Sequence, residues 1–443
     1  MIFSSQYRYF TVGLKALFSL GILLQYANAT ELEEWNAKFQ TTYIWQQKQP
    51  FKASYSGLNS LLTSEEKSYS FTATIALGFR PWNDGELYFN PEVAQGVPLS
   101  KLTGLGGMSN GEMARTSGAK PTFYRARLFL RQSWGLGGEQ DMLESSINQL
   151  AGKVDKRRLV MTAGNISVLD IFDLNSFNHD PRTQFINWSV MTHGAYDFAA
   201  DSRGYTSGIA LEYFYDEWAL RAGRFIQPKE SNGLALDSHI FSHYGDQIEI
   251  EHGHQIGELA GKIRVLAFRN VTAMGSYQDA LSGAAVNGSI PAVSAVRKQQ
   301  AKLGVGINIE QAMTENIAVF GRASWADGKT ETYAFAEIDR SISAGLVIKG
   351  NDWKRVDDVA GIALAQNRLS TTHRDYLAAG GLGFFVGDGH INYHPERIYE
   401  IFYNIGFAKG THFGFNFQHI DNPAYNRDRG PVSIGTLRFH SEF

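Results

Sequence analysis

The chain of 443 residues contains no cysteine. That excludes disulfide scaffolds, thiolate metal sites and cysteine nucleophiles. Proline is scarce at 11, and charged residues make up 19%, below the roughly 25% usual in soluble domains. Long apolar runs are also missing. Only one exists, at the N-terminus, and the mean hydropathy is −0.24, so no bundle of membrane helices is encoded. Neither sign of charge dominates: the net charge is −3, which leaves no polycationic footprint for nucleic acid. No H-E-x-x-H or Walker motif occurs, and no catalytic constellation and no cofactor is expected.

What is abundant is aromatic and glycine content, with 20 Tyr, 29 Phe and 45 Gly. A disordered chain would instead be charge-rich and poor in aromatics. The N-terminus reads as a secretory signal peptide over residues 1–29. Arg8 and Lys15 form a positive region, Ala16 to Leu24 an apolar core, and Ala27-Asn28-Ala29 a small-residue cleavage site. The remainder, 30–443, is expected to be one domain, with residues 30–38 as a short acidic lead-in.

The dominant pattern has period two. From Tyr69 to Arg80, Tyr69, Phe71, Ala73, Ile75, Leu77 and Phe79 occupy one face, and Ser70, Thr72, Thr74, Ala76, Gly78 and Arg80 the other. Alternation of this length exceeds the five or so residues of an ordinary globular strand and suits a tilted membrane strand of about 9–11 residues plus a margin. Similar runs contain Tyr124 to Trp134 and Ala301 to Glu310. Others begin near Phe39, Gly85, Arg158, Tyr205, Trp218, Asp246, Lys262, Asn316, Thr330, Ser341, Asp357, Arg397, Thr411 and Val432. The segment from Thr330 to Lys349 is either one bent strand or two. About sixteen strands are expected, because an even number returns both termini to the same side.

A soluble sandwich also has period-two strands. A membrane barrel is favoured by aromatics near strand ends (Tyr43, Trp45, Phe79, Trp134, Tyr213, Tyr215, Trp218, Trp325) and by a final strand closing on Phe443. Lipid offers no hydrogen-bond partner to an open sheet edge, so the sheet must close. The expected fold is therefore an all-β, transmembrane antiparallel barrel with long extracellular loops, one of them folded into the lumen. Its place is the outer membrane of a Gram-negative bacterium. Expected partners are outer-membrane lipid and lipopolysaccharide, and the barrel assembly machinery through the strand ending in Phe443. Monomer and homotrimer both remain open.

Short polar turns are read at Trp82 to Gly85, Asp216-Glu217 and Ala326 to Lys329. Long connections are read at Val93 to Thr122, Ser167 to Gly204, Pro228 to Tyr244, Val271 to Gln300 and Leu369 to Glu396. Connections this long are uncommon unless functional. Ser167 to Gly204 mixes charge with aromatics and is the expected constriction loop, with Asp170, Asp173, Asp180, Arg182, Trp188 and His193 as candidate solute contacts.

An arginine facing lipid near the midplane costs about 2–4 kcal/mol, so strand arginines are assigned to the lumen. The candidate lining is Arg80, Arg125, Arg127, Arg131, Arg221 and Arg322, with Glu212, Glu249 and Glu251, and with Glu86, Asp246, Glu310 and Glu337 as further opposite charge. Such groups either contact solute or brace one another. His252 and His254 form an H-x-H pair; a solvated or interfacial pair is the reading preferred to a metal site, and no metal is expected.

The stretch His419 to Phe443, with Asn422, Pro423, Asn426, Asp428, Gly430 and Pro431, resembles the carbohydrate-selective porin family of the OprB type. Glu86 to Ser100, Tyr124 to Gly138, Asn178 to Trp188 and Arg221 to Gly233 resemble it too. The resemblance implies a barrel of about sixteen strands, passive uptake of sugars and an arginine-bearing constriction. The alternatives are a channel for small organic acids, which the arginines would suit, and an outer-membrane enzyme, which no motif supports.

Overall fold

In the computed structural model, residues 32–116 and 118–443 are described; the expected signal peptide lies outside them. Period-two alternation becomes strands β1 (Trp35–Lys48), β2 (Glu66–Trp82), β3 (Gly85–Val97), β4 (Thr122–Gly135), β5 (Gln140–Leu143), β6 (Gly152–Asp155), β7 (Arg158–Ile166), β8 (Thr206–Tyr215) and β9 (Trp218–Ile226). Then follow β10 (Tyr244–Ile256), β11 (Leu259–Met274), β12 (Lys298–Ala312), β13 (Ile317–Ala326), β14 (Arg340–Lys349), β15 (Val359–Arg368), β16 (Glu396–Ala408), β17 (Thr411–Asp421) and β18 (Val432–Glu442). Sixteen of them form a closed antiparallel barrel in chain order, β4 pairing with β7 and β18 with β1; β5 and β6 make a separate hairpin. The alternation seen in the sequence survives as burial: Ser70, Thr72 and Thr74 face in, while Ile75, Leu77, Leu303, Val305 and Ile307 stand exposed on the outer wall.

Both ends of the barrel sheet meet at the seam. Phe39 and Phe443 exchange backbone hydrogen bonds of 2.8 and 3.0 Å, and their rings lie 5.2 Å apart. Deleting Phe443 removes both bonds and leaves an unpaired edge in lipid, where an unsatisfied amide costs several kcal/mol. The expected outcome is a several-fold lower yield of heat-modifiable barrel in outer-membrane fractions, with export unchanged. Normal yield would refute it.

The two ends of the barrel differ. Turns of 2–9 residues (83–84, 216–217, 257–258, 313–316, 350–358, 409–410) and the β5–β6 hairpin share one end with the barrel's terminal strand ends. Eight longer loops share the other: loop 1 (49–65), loop 2 (98–121), loop 3 (167–205), loop 4 (227–243), loop 5 (275–297), loop 6 (327–339), loop 7 (369–395) and loop 8 (422–431).

Several expectations need correction. β1 opens at Trp35, so part of the expected lead-in is already strand. Ala326 to Lys329 is not a short turn but the end of β13 and the start of loop 6, and no strand begins at Thr330. The reason lies in the interior. Tyr333 and Ala334 donate their amides to the Asp197 carboxylate, and Phe335 packs against Trp188 at 5.0 Å, so this segment finds its partners in loop 3 instead of a neighbouring strand.

Candidate functional site

The lumen is occupied by loops. Loop 3 is buried almost throughout from Ser167 to Ala200 and bonds to opposite walls of the barrel. Its backbone polar groups cannot reach bulk water there, so the wall must supply partners. Glu249 of β10 accepts from the Asp173 amide at 2.9 Å, Glu310 of β12 from Ser176, and Glu400 of β16 from the amides of Ile186 and Asn187. On the far side, Arg438 of β18 donates to the carbonyls of Pro181 and Gln184. Apolar packing follows the same path: Phe185 stacks edge-on with Phe320 and Phe402 of the wall. Close approach is bought with missing side chains on β12. A Cβ on Gly306 would lie 2.7 Å from the His193 ring, and one on Gly304 would lie 2.2 Å from Phe268.

Loops 2 and 6 also enter, which periodicity could not announce. Glu112 of loop 2 accepts from Thr72 of β2 (2.7 Å), pairs with Arg182 of loop 3 (3.0 Å) and with Arg115 (3.2 Å). Burial pushes the Glu112 carboxyl up, but the two guanidiniums and the hydroxyl pull it down to about 2. Glu337 of loop 6, expected to offer lumen charge, instead accepts from the amides of Phe385 and Val386 in loop 7.

The sequence-derived residues divide into two groups. Arg322, Asp173, His193 and Trp188 are sealed. Arg322 (1% exposed) donates to Asp173 at 2.8 Å and to the Asn178 and Val190 carbonyls. Burial drives the Asp173 carboxyl up, while Arg322 and His193 bring it down to about 2; burial also holds the His193 imidazole near 4. Trp188 lies in an aromatic group with Phe198 and Phe335. Arg182 is held by Glu112, and the Asp180 carboxylate accepts from the Arg182 amide at 2.9 Å. These residues anchor the loop. Glu249 and Glu251 are likewise spoken for. Arg221 bridges Glu212 (2.9 Å), Glu249 (3.1 Å) and Glu251 (3.3 Å), and Arg264 continues the chain from Glu251 (2.6 Å) to Glu310 (3.1 Å).

The second group meets water. Arg127 makes a two-pronged bond to Asp170 at 2.7 and 2.6 Å and lies over the Tyr205 ring, 5.3 Å from its centre. Asp170 remains 32% exposed, and Arg131, 3.5 Å from Glu86, 27%. Burial raises the Asp170 carboxyl, and Arg127 more than offsets that. Arg80 pairs with the other oxygen of Glu86 at 3.1 Å. Glu212 and Phe214 of β8 complete this side, with Arg158 over the Phe214 ring at 4.0 Å. The half-buried polar groups thus form a stripe along β2, β3, β4, β7 and β8. Sequence reasoning missed Arg115, Arg158 and Phe214; the last two were findable, since both occupy inward positions of alternating strands.

Arg125 does not join its neighbours. Pro91 has no amide for the ladder, and the register shifts there: Asn90 pairs with Arg127 but Pro91 with Arg125, leaving Ala126 as an extra residue. The bulge reverses the phase, so Tyr124 and Arg127 point inward and Arg125 stands on the outer wall near the loop end. Charge there costs only about 0–1 kcal/mol. Asp246 is outward as well. It pairs with Arg224 at 2.7 Å, because parity separates it from Glu249 and Glu251. His252 and His254 share that outer face near the turn end; His252 stacks on Trp218 and His254 bonds to Gln311. Among the described residues no group of three or more His, Asp or Glu is placed to hold a metal ion.

A closed sixteen-stranded barrel whose loops fold into a charged lumen defines a channel of the outer-membrane porin class. The family profile described as carbohydrate-selective porin, OprB family, matches residues 59–443, and the chain belongs to that family. Among solved structures it is similar to the high-pH structure of Pseudomonas putida OprB, with TM-score 0.69 and 16% identity over 93% of this chain and 94% of that one. It is also similar to the low-pH structure of the same protein (TM-score 0.51, 11% identity, 93% of each chain). The outer-membrane channel DcaP of Acinetobacter baumannii aligns with TM-score 0.51 and 10% identity over 92% of this chain and 97% of that one. These likenesses concern the fold. No curated protein matches the sequence. Family and barrel place the chain in the bacterial outer membrane.

Proposed function

We propose that the chain is a passive channel for small neutral hydrophilic solutes, carbohydrates foremost, which pass along the half-buried stripe beside loop 3. The observation that carries this reading is the pairing of the stripe's charges. Arg127 is neutralised by Asp170, Arg80 and Arg131 share Glu86, and Glu212 is met by Arg221. Paired charges give a small net field, which favours neither anions nor cations strongly, yet leave lone pairs and N–H groups for sugar hydroxyls. A channel for organic acids would be better served by several unpaired arginines, whereas on this stripe Arg158 alone, among the described residues, has no carboxylate within ion-pair distance and donates to the Asp155 carbonyl.

The test is single-channel conductance in a planar bilayer, titrated with glucose, other sugars and small organic acids. Saturable block by a sugar with little block by acids is expected. Block by acids alone, with anion selectivity, would overturn the reading. In the same assay Arg127→Ala is expected to raise conductance and weaken sugar block several-fold. It also leaves Asp170 without its counter-charge, so ion preference moves toward cations. Unchanged conductance and preference would remove Arg127 from the permeation path.

A further inference from the structure

On the outer wall, at the loop end, β14, β15 and β16 carry three arginines that the channel does not use. Arg340 and Arg368 are direct cross-strand partners and both are exposed. Arg397 pairs in register with Gln366, two residues from Arg368, and donates to the Gln366 side-chain oxygen Oε1 at 3.3 Å. Like charges set directly opposite destabilise a sheet unless something neutralises them. Among the described residues no carboxylate lies within ion-pair distance of any of the three. Asp421 stands across from Arg397 but pairs with His419 at 3.6 Å. The outward Arg224, by contrast, has Asp246 at 2.7 Å.

Immediately toward the barrel waist the same three strands form a groove of about 240 Å³, with Ile342, Leu364 and Tyr399 among its walls. Ala344 contributes only a methyl group to it, which leaves the space open. Ile342 and Leu364 are 57% and 52% exposed, and the surface faces the lipid side. A cationic cluster above an apolar groove is complementary to an amphiphile with an anionic head. Guanidiniums bind phosphate with two parallel bonds, and an acyl chain fits a dry groove.

We propose that Arg340, Arg368 and Arg397 bind a phosphate of an outer-leaflet phosphorylated glycolipid, with one of its acyl chains lying in the groove over Ala344. The occupant is lipopolysaccharide-type lipid, because the site combines headgroup charge recognition with a chain slot at the end of the barrel where long loops lie outside the cell.

Native mass spectrometry of the folded barrel in detergent tests this with three probes: lipid A, lipid A stripped of its phosphates, and inorganic phosphate. Lipid A is expected to be retained, and removal of its phosphates to weaken retention by about tenfold or more. The triple variant Arg340→Gln/Arg368→Gln/Arg397→Gln should lose the same factor, and Ala344→Phe should weaken lipid A by filling the groove with no change of charge. Arg224→Gln should bind as the parent does. Equal binding of both forms of lipid A, or full binding by the triple variant, overturns the proposal. Displacement of lipid A by inorganic phosphate at equal concentration reduces the site to an anion site and overturns it too. If the parent is an oligomer and the triple variant a monomer, the face belongs to a second copy of this chain and the lipid assignment fails.

Discussion

Arg322→Ala is expected to release loop 3 from the wall of the barrel. The guanidinium holds three parts of the loop at once: the Asp173 carboxylate, the Asn178 carbonyl and the Val190 carbonyl. Without it Asp173 keeps hydrogen bonds from Asn308 and the His193 amide but loses its counter-charge in a site closed to water. Breaking one side of a buried pair costs about 3–5 kcal/mol, more than removing both. The folded loop cannot absorb that, so the conductance should rise and become noisy, and the thermal transition in detergent should fall. Asp173→Ala/Arg322→Ala should recover part of the loss, since no orphaned charge remains. A single variant with parental conductance and stability would show that the other wall contacts of loop 3 hold it without Arg322.

Acid should loosen the same loop in two stages. His193 is sealed beside Gly306 and titrates near 4 when docked, against about 6.5 when released into water. The released state therefore binds a proton that the docked state refuses between those values, and docking is strongest above about 6.5 and weakens as the pH falls toward 4. The full effect is of the order of 3 kcal/mol. Asp173 adds a lower stage. Its docked carboxyl titrates near 2 against about 3.9 in water, so its contribution is present above about 4 and is lost as the pH falls toward 2. Amide exchange across 185–200 is expected to quicken several-fold between pH 7 and 4.5, and His193→Gln should flatten that change, while the stage below 4 shrinks but persists because Arg322 still faces Asp173. Exchange independent of pH in the parent would exclude the histidine stage.

Legibility of the chain depended on whether neighbours were near in sequence. Strand β2 could be read residue by residue, because the pleat alone sends Ser70, Thr72 and Thr74 to one side and Phe71, Ala73 and Ile75 to the other. The error at Arg125 came from extending the same rule along β4 past Ala126, the extra residue opposite the Asn90–Pro91 step of β3, where the missing amide of Pro91 breaks the ladder. Asp246 failed differently: the parity of its own strand already assigned it to the outer wall. In loop 3 the composition pointed inward, but the roles of its residues were hidden. Asp173 and Trp188 read as solute contacts and are instead anchors packed against residues far along the chain.

The sequence by itself determined the barrel: its strand spacing, its lipid-facing aromatics, its closure on Phe443 and its family. Those follow from local rules, the two-residue pleat and the need to satisfy every backbone group in lipid. Tertiary structure decided which charges are free. Arg322 and Asp173 meet across 149 residues, and Arg127 and Asp170 across 43. Both pairs are an arginine with an aspartate, yet only the second touches water, because depth inside the folded loops, and no property of the residues themselves, separates an anchor from a channel wall.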